Sequence, residues 1–209
     1  MSSGERTSRA AGRIALAGFC LAISATAALA DYREDYDDWW LECRSKLSEP
    51  GNYSCAAQTA PQDGVAVFVV QRAGTSYLVA QAEPGIRFDR SLDVSFRINE
   101  GVRLFTLPQQ PRVAYVAGPE VDSFIAEAPA DATLHLSFRD DLGATRYIRF
   151  PVRGLRPAVV GLTSAMTQFE RSGALPEPAA RAQPSSAGTE DSSFTQRIGD
   201  WFRRNLSSD

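Results

Sequence analysis

Val65-Ala66-Val67-Phe68-Val69-Val70 is apolar at every position. Successive side chains of a strand point to opposite faces of its sheet, so such a run predicts a central strand covered on both sides. The runs that follow are also short and are separated by Gly, Pro, Asp and Asn. Ser76 to Ala82 comes after Arg72-Ala73-Gly74, a hairpin-like connection, and Val94, Phe96 and Ile98 alternate with Ser95, Arg97 and Asn99. Glu100-Gly101 turns the chain into Val102 to Leu107. Arg112 to Ala117, Ser123 to Ala128 and Thr133 to Phe138 are the next candidate strands, and Asp140-Asp141-Leu142-Gly143 leads into Thr145 to Phe150. The pattern predicts a mainly β domain, an antiparallel sandwich or barrel-like fold of about seven to eight short strands.

After Gly154 the period changes. Pro157 suits a first helical turn, and Val159, Leu162, Met166 and Phe169 recur at helical spacing until Gly173, which predicts one closing helix. Residues 174–192 are rich in Pro, Ala, Ser and Gly and predict a flexible linker. Residues 193–209 predict a short amphipathic tail helix. Ser193 and Gln196 form a capping-box pair, Phe194, Ile198, Trp201, Phe202 and Leu206 share one side, and Arg197, Arg203 and Arg204 lie on the other. Such a helix can contact a partner or a membrane surface, or pack back on its own domain; both destinations stay open.

Upstream, Arg6, Arg9 and Arg13 precede an uncharged run from Ile14 to Ala27 that ends in Ala28-Leu29-Ala30. This is the pattern of a signal peptide cleaved near Ala30, and it predicts a periplasmic or secreted protein whose folded domain spans residues 31–173. A retained membrane anchor is the alternative. Cleavage would remove Cys20 and leave Cys43 and Cys55 as a pair in an oxidising compartment, where a structural disulfide is expected. It would also take the net charge from −3 to −5, since three Arg and one Glu leave with the segment. That balance does not carry the overall basic footprint of a nucleic-acid binder, so no nucleic-acid partner is expected.

The sequence offers few groups for catalysis. His135 is the only histidine, and it falls on the polar parity of Thr133 to Phe138, where a solvated side chain is the expectation. No Gly-x-Ser-x-Gly, His-Glu-x-x-His or phosphate-loop motif occurs, so no catalytic residue and no cofactor is assigned. Glu34, Asp35, Asp37 and Asp38 read as a solvated acidic leader and Asp140-Asp141 as turn residues, and no metal site is assigned. Arg146 and Arg149 fall on opposite faces of their strand and form no patch by themselves. Arg153 and Arg156 read as solvated, with anion binding at the helix start as the alternative.

Trp40-Leu-Glu-Cys43, Cys55-Ala-Ala-Gln58 and the closing Phe150-Pro-Val-Arg-Gly-Leu-Arg-Pro-Ala158 occur in that order. Over Trp39 to Phe169 the chain resembles the invasion-associated locus B family of secreted bacterial proteins. It departs from the family in lacking a second cysteine pair, since Tyr115 to Ala128 holds no cysteine. The resemblance implies a non-catalytic envelope or secreted protein that acts through an envelope or host-surface protein, with a link to host-cell entry. An extracytoplasmic small-ligand binder or an enzyme of another type is the alternative function.

Overall fold

The computed structural model describes residues 32–45 and 53–175. Ten strands and two helices follow one another as β1 (Tyr32–Tyr36), β2 (Trp39–Ser45), β3 (Tyr53–Thr59), β4 (Val65–Arg72), β5 (Thr75–Ala82), β6 (Val94–Ile98), β7 (Arg103–Thr106), β8 (Val113–Ala117), α1 (Pro119–Ala126), β9 (Thr133–Arg139), β10 (Thr145–Pro151) and α2 (Leu155–Ser172). They form a six-stranded sheet in the order β1-β2-β3-β4-β5-β8 and a four-stranded sheet in the order β10-β9-β6-β7. Every pairing is antiparallel. Neither sheet closes on itself, so the arrangement is sandwich-like and not a barrel.

β4 is an interior strand, and Val65 to Val70 is buried at all six positions. Val65, Val67 and Val69 point into the main core, while Ala66, Phe68 and Val70 belong to a second apolar cluster on the opposite face of the same sheet. The main core also takes Phe96, Leu134, Leu136 and Phe150 from the four-stranded sheet, and Leu155, Ala158, Leu162 and Ala165 from α2. α2 lies over β1 to β4, and α1 lies beside β5 and β8.

Two sequence expectations are corrected. Ser123 to Ala128 is not a strand: its first four residues belong to α1 and Glu127 caps the helix, because Val121, Phe124 and Ile125 recur at helical spacing behind Pro119 in the first turn, with Glu120 and Asp122 at the positive end of the helix. Short apolar runs do not distinguish the two periods well. The acidic leader is not a solvated extension: Tyr32, Glu34 and Tyr36 turn inward while Arg33 and Asp35 turn out, giving β1 as an edge strand paired to β2. Its outward charges suit a sheet edge. With β1, β2 and β3 added and Ser123 to Ala128 removed, ten strands stand in place of the expected seven to eight.

Cys43 and Cys55 face one another across β2 and β3 and form the expected disulfide, with 4.1 Å between their Cα atoms. On a chain-entropy model, closing a loop of this size contributes roughly 3 kcal/mol. Residues 46–52, which join the two strands, lie outside the described residues.

The C-terminal strand and α2 are locked to the first hairpin. The indole of Trp39, fully buried, donates to the Pro151 carbonyl at 2.8 Å, and the Asp38 amide donates to the Arg153 carbonyl at 3.3 Å. Gly154 then starts α2 with φ +92°, so close to β1 that a Cβ would stand 1.7 Å from the Tyr36 carbonyl oxygen. At the other end Gly173 closes the helix in the left-handed conformation, its amide bonded to the Phe169 carbonyl at 2.7 Å. Gly154→Ala should destabilise the protein by more than the roughly 1–2 kcal/mol of a left-handed L-residue, because the methyl group also meets backbone. Urea unfolding checks this; a midpoint equal to that of the parent would show that β1 and α2 are not in contact here.

Candidate functional site

Several residues singled out in the sequence are held in structural roles. The Asp140 carboxylate accepts from Arg146 Nε at 2.8 Å and from the Ala144 and Leu142 amides at 2.8 and 3.2 Å, which makes it the staple of the β9–β10 turn. The Arg146 bond, followed by the Ala144 amide, holds its pKa below the ordinary carboxylate value. Arg153 pairs with Asp38 at 3.2 Å, Arg33 with Asp35 at 3.1 Å, and Tyr32 donates to Glu34 at 2.6 Å. Asp37 occupies the β1–β2 turn at φ +54°. Arg156 is exposed on the first turn of α2. Among the described residues no three His, Cys, Asp or Glu side chains gather as a metal-binding group. Phe194, Ile198, Trp201, Phe202, Arg197, Arg203 and Arg204 lie outside the described residues.

A different constellation emerges on the outer face of the four-stranded sheet. The register sets Arg149 opposite His135, His135 opposite Arg97, and Arg97 opposite Arg103. One row across all four strands is therefore Arg-His-Arg-Arg, about 14 Å long at ordinary strand spacing. The neighbouring row is Tyr147, Ser137, Ser95 and Phe105, with its two aromatic rings at the edges. Tyr147 is 77% and Phe105 55% exposed, so this face is open to solvent.

The row has few internal counter-charges. Arg97 pairs with Glu100 at 3.1 Å, and Glu100 is itself almost wholly exposed. A pair of that kind contributes little and exchanges readily. Arg103 and Arg149 have no acidic partner among the described residues. Partial burial, followed by the charges of Arg97 and Arg149, pushes the His135 pKa below its ordinary 6.5, with Glu100 opposing. The imidazole is thus neutral at pH 7, and it gains a proton more readily once negative charge arrives beside it.

Chemically the face can hold anions. Guanidinium groups bind phosphate and carboxylate through two parallel hydrogen bonds, the Ser137 hydroxyl of the neighbouring row can donate as well, and rings with one apolar side suit a wet interface. Two shallow depressions, of about 280 Å³ beside Phe124 and Val102 and about 310 Å³ beside Arg87 and Asp89, do not include His135. No nucleophile shares a hydrogen bond with that histidine among the described residues. The sequence placed His135 correctly on the polar parity of its strand and separated Arg146 from Arg149. It could not place Arg97 and Arg103 beside them, because strand order is a tertiary property. Alternation of Arg with apolar residues in three separate strands was the only signal available.

A scan against protein-family models, curated proteins and solved structures finds no match to the chain.

Because the protein has a single histidine, its titration is directly visible by NMR. In the free protein the His135 resonance should titrate below pH 6.5, and Arg149→Ser should move the midpoint upward. As a lowered histidine pKa opposes protonation of the folded form, His135 should cost stability as pH falls through 6.5 and stop changing it once both states are protonated. A midpoint unmoved by Arg149→Ser would mean that the two side chains do not interact.

Proposed function

We propose that this chain is an exported, non-catalytic β-sandwich protein that attaches to an anionic envelope surface through the outer face of its four-stranded sheet. The observation that carries the reading is the row Arg149-His135-Arg97-Arg103, laid across four strands and flanked by exposed Tyr147 and Phe105. A row of cations spread across four strands fits an extended surface of repeated phosphate or carboxylate groups better than one small molecule, which a concave site would enclose. Export rests on the leader pattern of residues 1–30, and an extracytoplasmic setting agrees with the Cys43–Cys55 bridge. The resemblance to the invasion-associated locus B family points the same way, toward contact with an envelope or host-surface component and away from turnover of a substrate. Among the described residues no helix is long and apolar enough to cross a membrane.

Electrostatic attraction to an anionic lipid surface is worth about 1 kcal/mol per arginine close to it and weakens with ionic strength. Sedimentation with vesicles containing phosphatidylglycerol should therefore recover the protein, and vesicles of phosphatidylcholine alone should not. Replacing Arg97, Arg103 and Arg149 together by Ser should lower the partition coefficient on the order of 100-fold at low salt. Equal pelleting of parent and triple variant would remove this face as the contact surface.

A further inference from the structure

The edge strands of the two sheets are protected to different degrees. β1 turns Arg33 and Asp35 outward, while β10 carries Arg146 and Arg149 and ends in Pro151, which has no amide hydrogen and whose carbonyl takes the Trp39 indole. Charges and proline blunt an edge against pairing with another chain. β8 is sealed by the segment that leads into it. Val113 exchanges two backbone bonds of 3.1 Å with Gln110, and the side-chain amide of Gln109 accepts from the Tyr115 amide at 2.9 Å and donates to the Tyr115 carbonyl at 3.3 Å.

β7 lacks such protection. The Asn99 amide donates to the Thr133 carbonyl at 3.0 Å, and bonded positions alternate along an antiparallel strand, so Arg97 and Ser95 bond to β9 while Phe96 and Val94 bond to β7. Leu104 and Thr106 are paired in this way, and the backbone amides and carbonyls of Arg103 and Phe105 point out of the sheet. Among the described residues no hydrogen-bond partner meets them. Val102, Phe105 and Leu107 are each more than half exposed along the same edge.

We infer that β7 is the pairing edge for a second copy of this chain, antiparallel, with the two-fold axis at Leu104. Since Arg103 and Phe105 offer the free backbone groups, a symmetric pair can centre on Arg103, Leu104 or Phe105. Centring on Arg103 sets the two arginines directly opposite one another, which like charge disfavours, and centring on Phe105 takes Arg103 past the end of the other strand. Centring on Leu104 lets Arg103 exchange both backbone bonds with Phe105 of the second copy and lays each guanidinium beside a ring, a cation–π arrangement. Continued past the strand ends, this register sets each Leu107 against Gly101 of the other copy, next to Val102. The register that separates like charges therefore also covers the exposed apolar side chains.

Opposite residues of paired strands point to the same face, so the Arg149-His135-Arg97-Arg103 row of one copy continues into Phe105, Ser95, Ser137 and Tyr147 of the other. The pairing stands on the register alone. Where the proposed surface attachment also holds, the two cationic rows face one surface and binding gains by avidity. β7 has only four residues, so the dimer is weak in dilute solution.

The test uses lipid-free protein spanning residues 31–209, with amide NMR and sedimentation from the micromolar to the millimolar range. Concentration-dependent shifts should centre on Val102 to Leu107, and a mixture of labelled and unlabelled protein should give intermolecular cross-peaks between the Phe105 ring and the Arg103 side chain. Phe105→Arg, which sets arginine against arginine, should weaken the dimer on the order of tenfold, and Arg103→Glu/Phe105→Arg should restore it by setting opposite charges across the axis. Shifts independent of concentration would overturn the inference. So would shifts centred on Tyr147 and Arg149 of β10 or on the six-stranded sheet, a Phe105→Arg variant that associates like the parent, or a double variant that does not regain association. With no lipid present, failure of this pairing and failure of surface attachment are separate outcomes.

Discussion

The structure depends on burying β4 on both sides. A strand with valines at one parity and Ala66, Phe68 and Val70 at the other cannot be satisfied by an ordinary two-layer sandwich, whose sheets each keep one wet face. One side of β4 is covered by the four-stranded sheet together with α2, and on the other Phe68 and its neighbours form a second buried cluster with Tyr77 and Tyr115 packed against it. At about 25 cal/mol per Å² of apolar surface, covering Phe68 alone is worth roughly 2 kcal/mol, so leaving the second face bare would be a large cost for a marginally stable domain. The interior place of β4, the arrival of α2 over the first hairpin and the closeness of Gly154 to Tyr36 all serve the inner half of this requirement.

The four-stranded sheet has the opposite character. Its strands alternate, so Phe96, Leu136 and Ile148 go to the core and Arg97, His135 and Arg149 go to water. Cross-strand pairing then concentrates cations that are far apart along the chain into one row, although the whole chain is mildly acidic. Like charges side by side destabilise an isolated sheet and are tolerated where solvent screens them. Partial burial, followed by this repulsion, lowers the His135 pKa, and a bound anion would relieve the repulsive part.

How much of this was legible depended on whether the signal was local. Alternation over Val94 to Ile98, the left-handed hairpin at Ala73-Gly74, the helix ending at Gly173 and the Cys43–Cys55 pair all rest on neighbouring residues or on one pairing. α1 was misread because Phe124 and Ile125 form an apolar run too short to display its period. β1 was misread because Glu34 and Asp35 mask the inward parity of Tyr32 and Tyr36. The cationic row was out of reach because it needs strand order and register together: Arg103 and Arg149 are 46 positions apart in sequence and join only through β6 and β9.

Attachment through the four-stranded sheet is tested most directly by titrating isotope-labelled protein spanning residues 31–209 with nanodiscs of anionic lipid and mapping the amide shifts by residue. Shifts and broadening should concentrate on the outer positions of β6, β7, β9 and β10, at Ser95, Arg97, Arg103, Phe105, His135, Tyr147 and Arg149, while Val70 and Val79 stay unchanged. A response confined to the six-stranded sheet or to the tail, or none at low ionic strength, would contradict it.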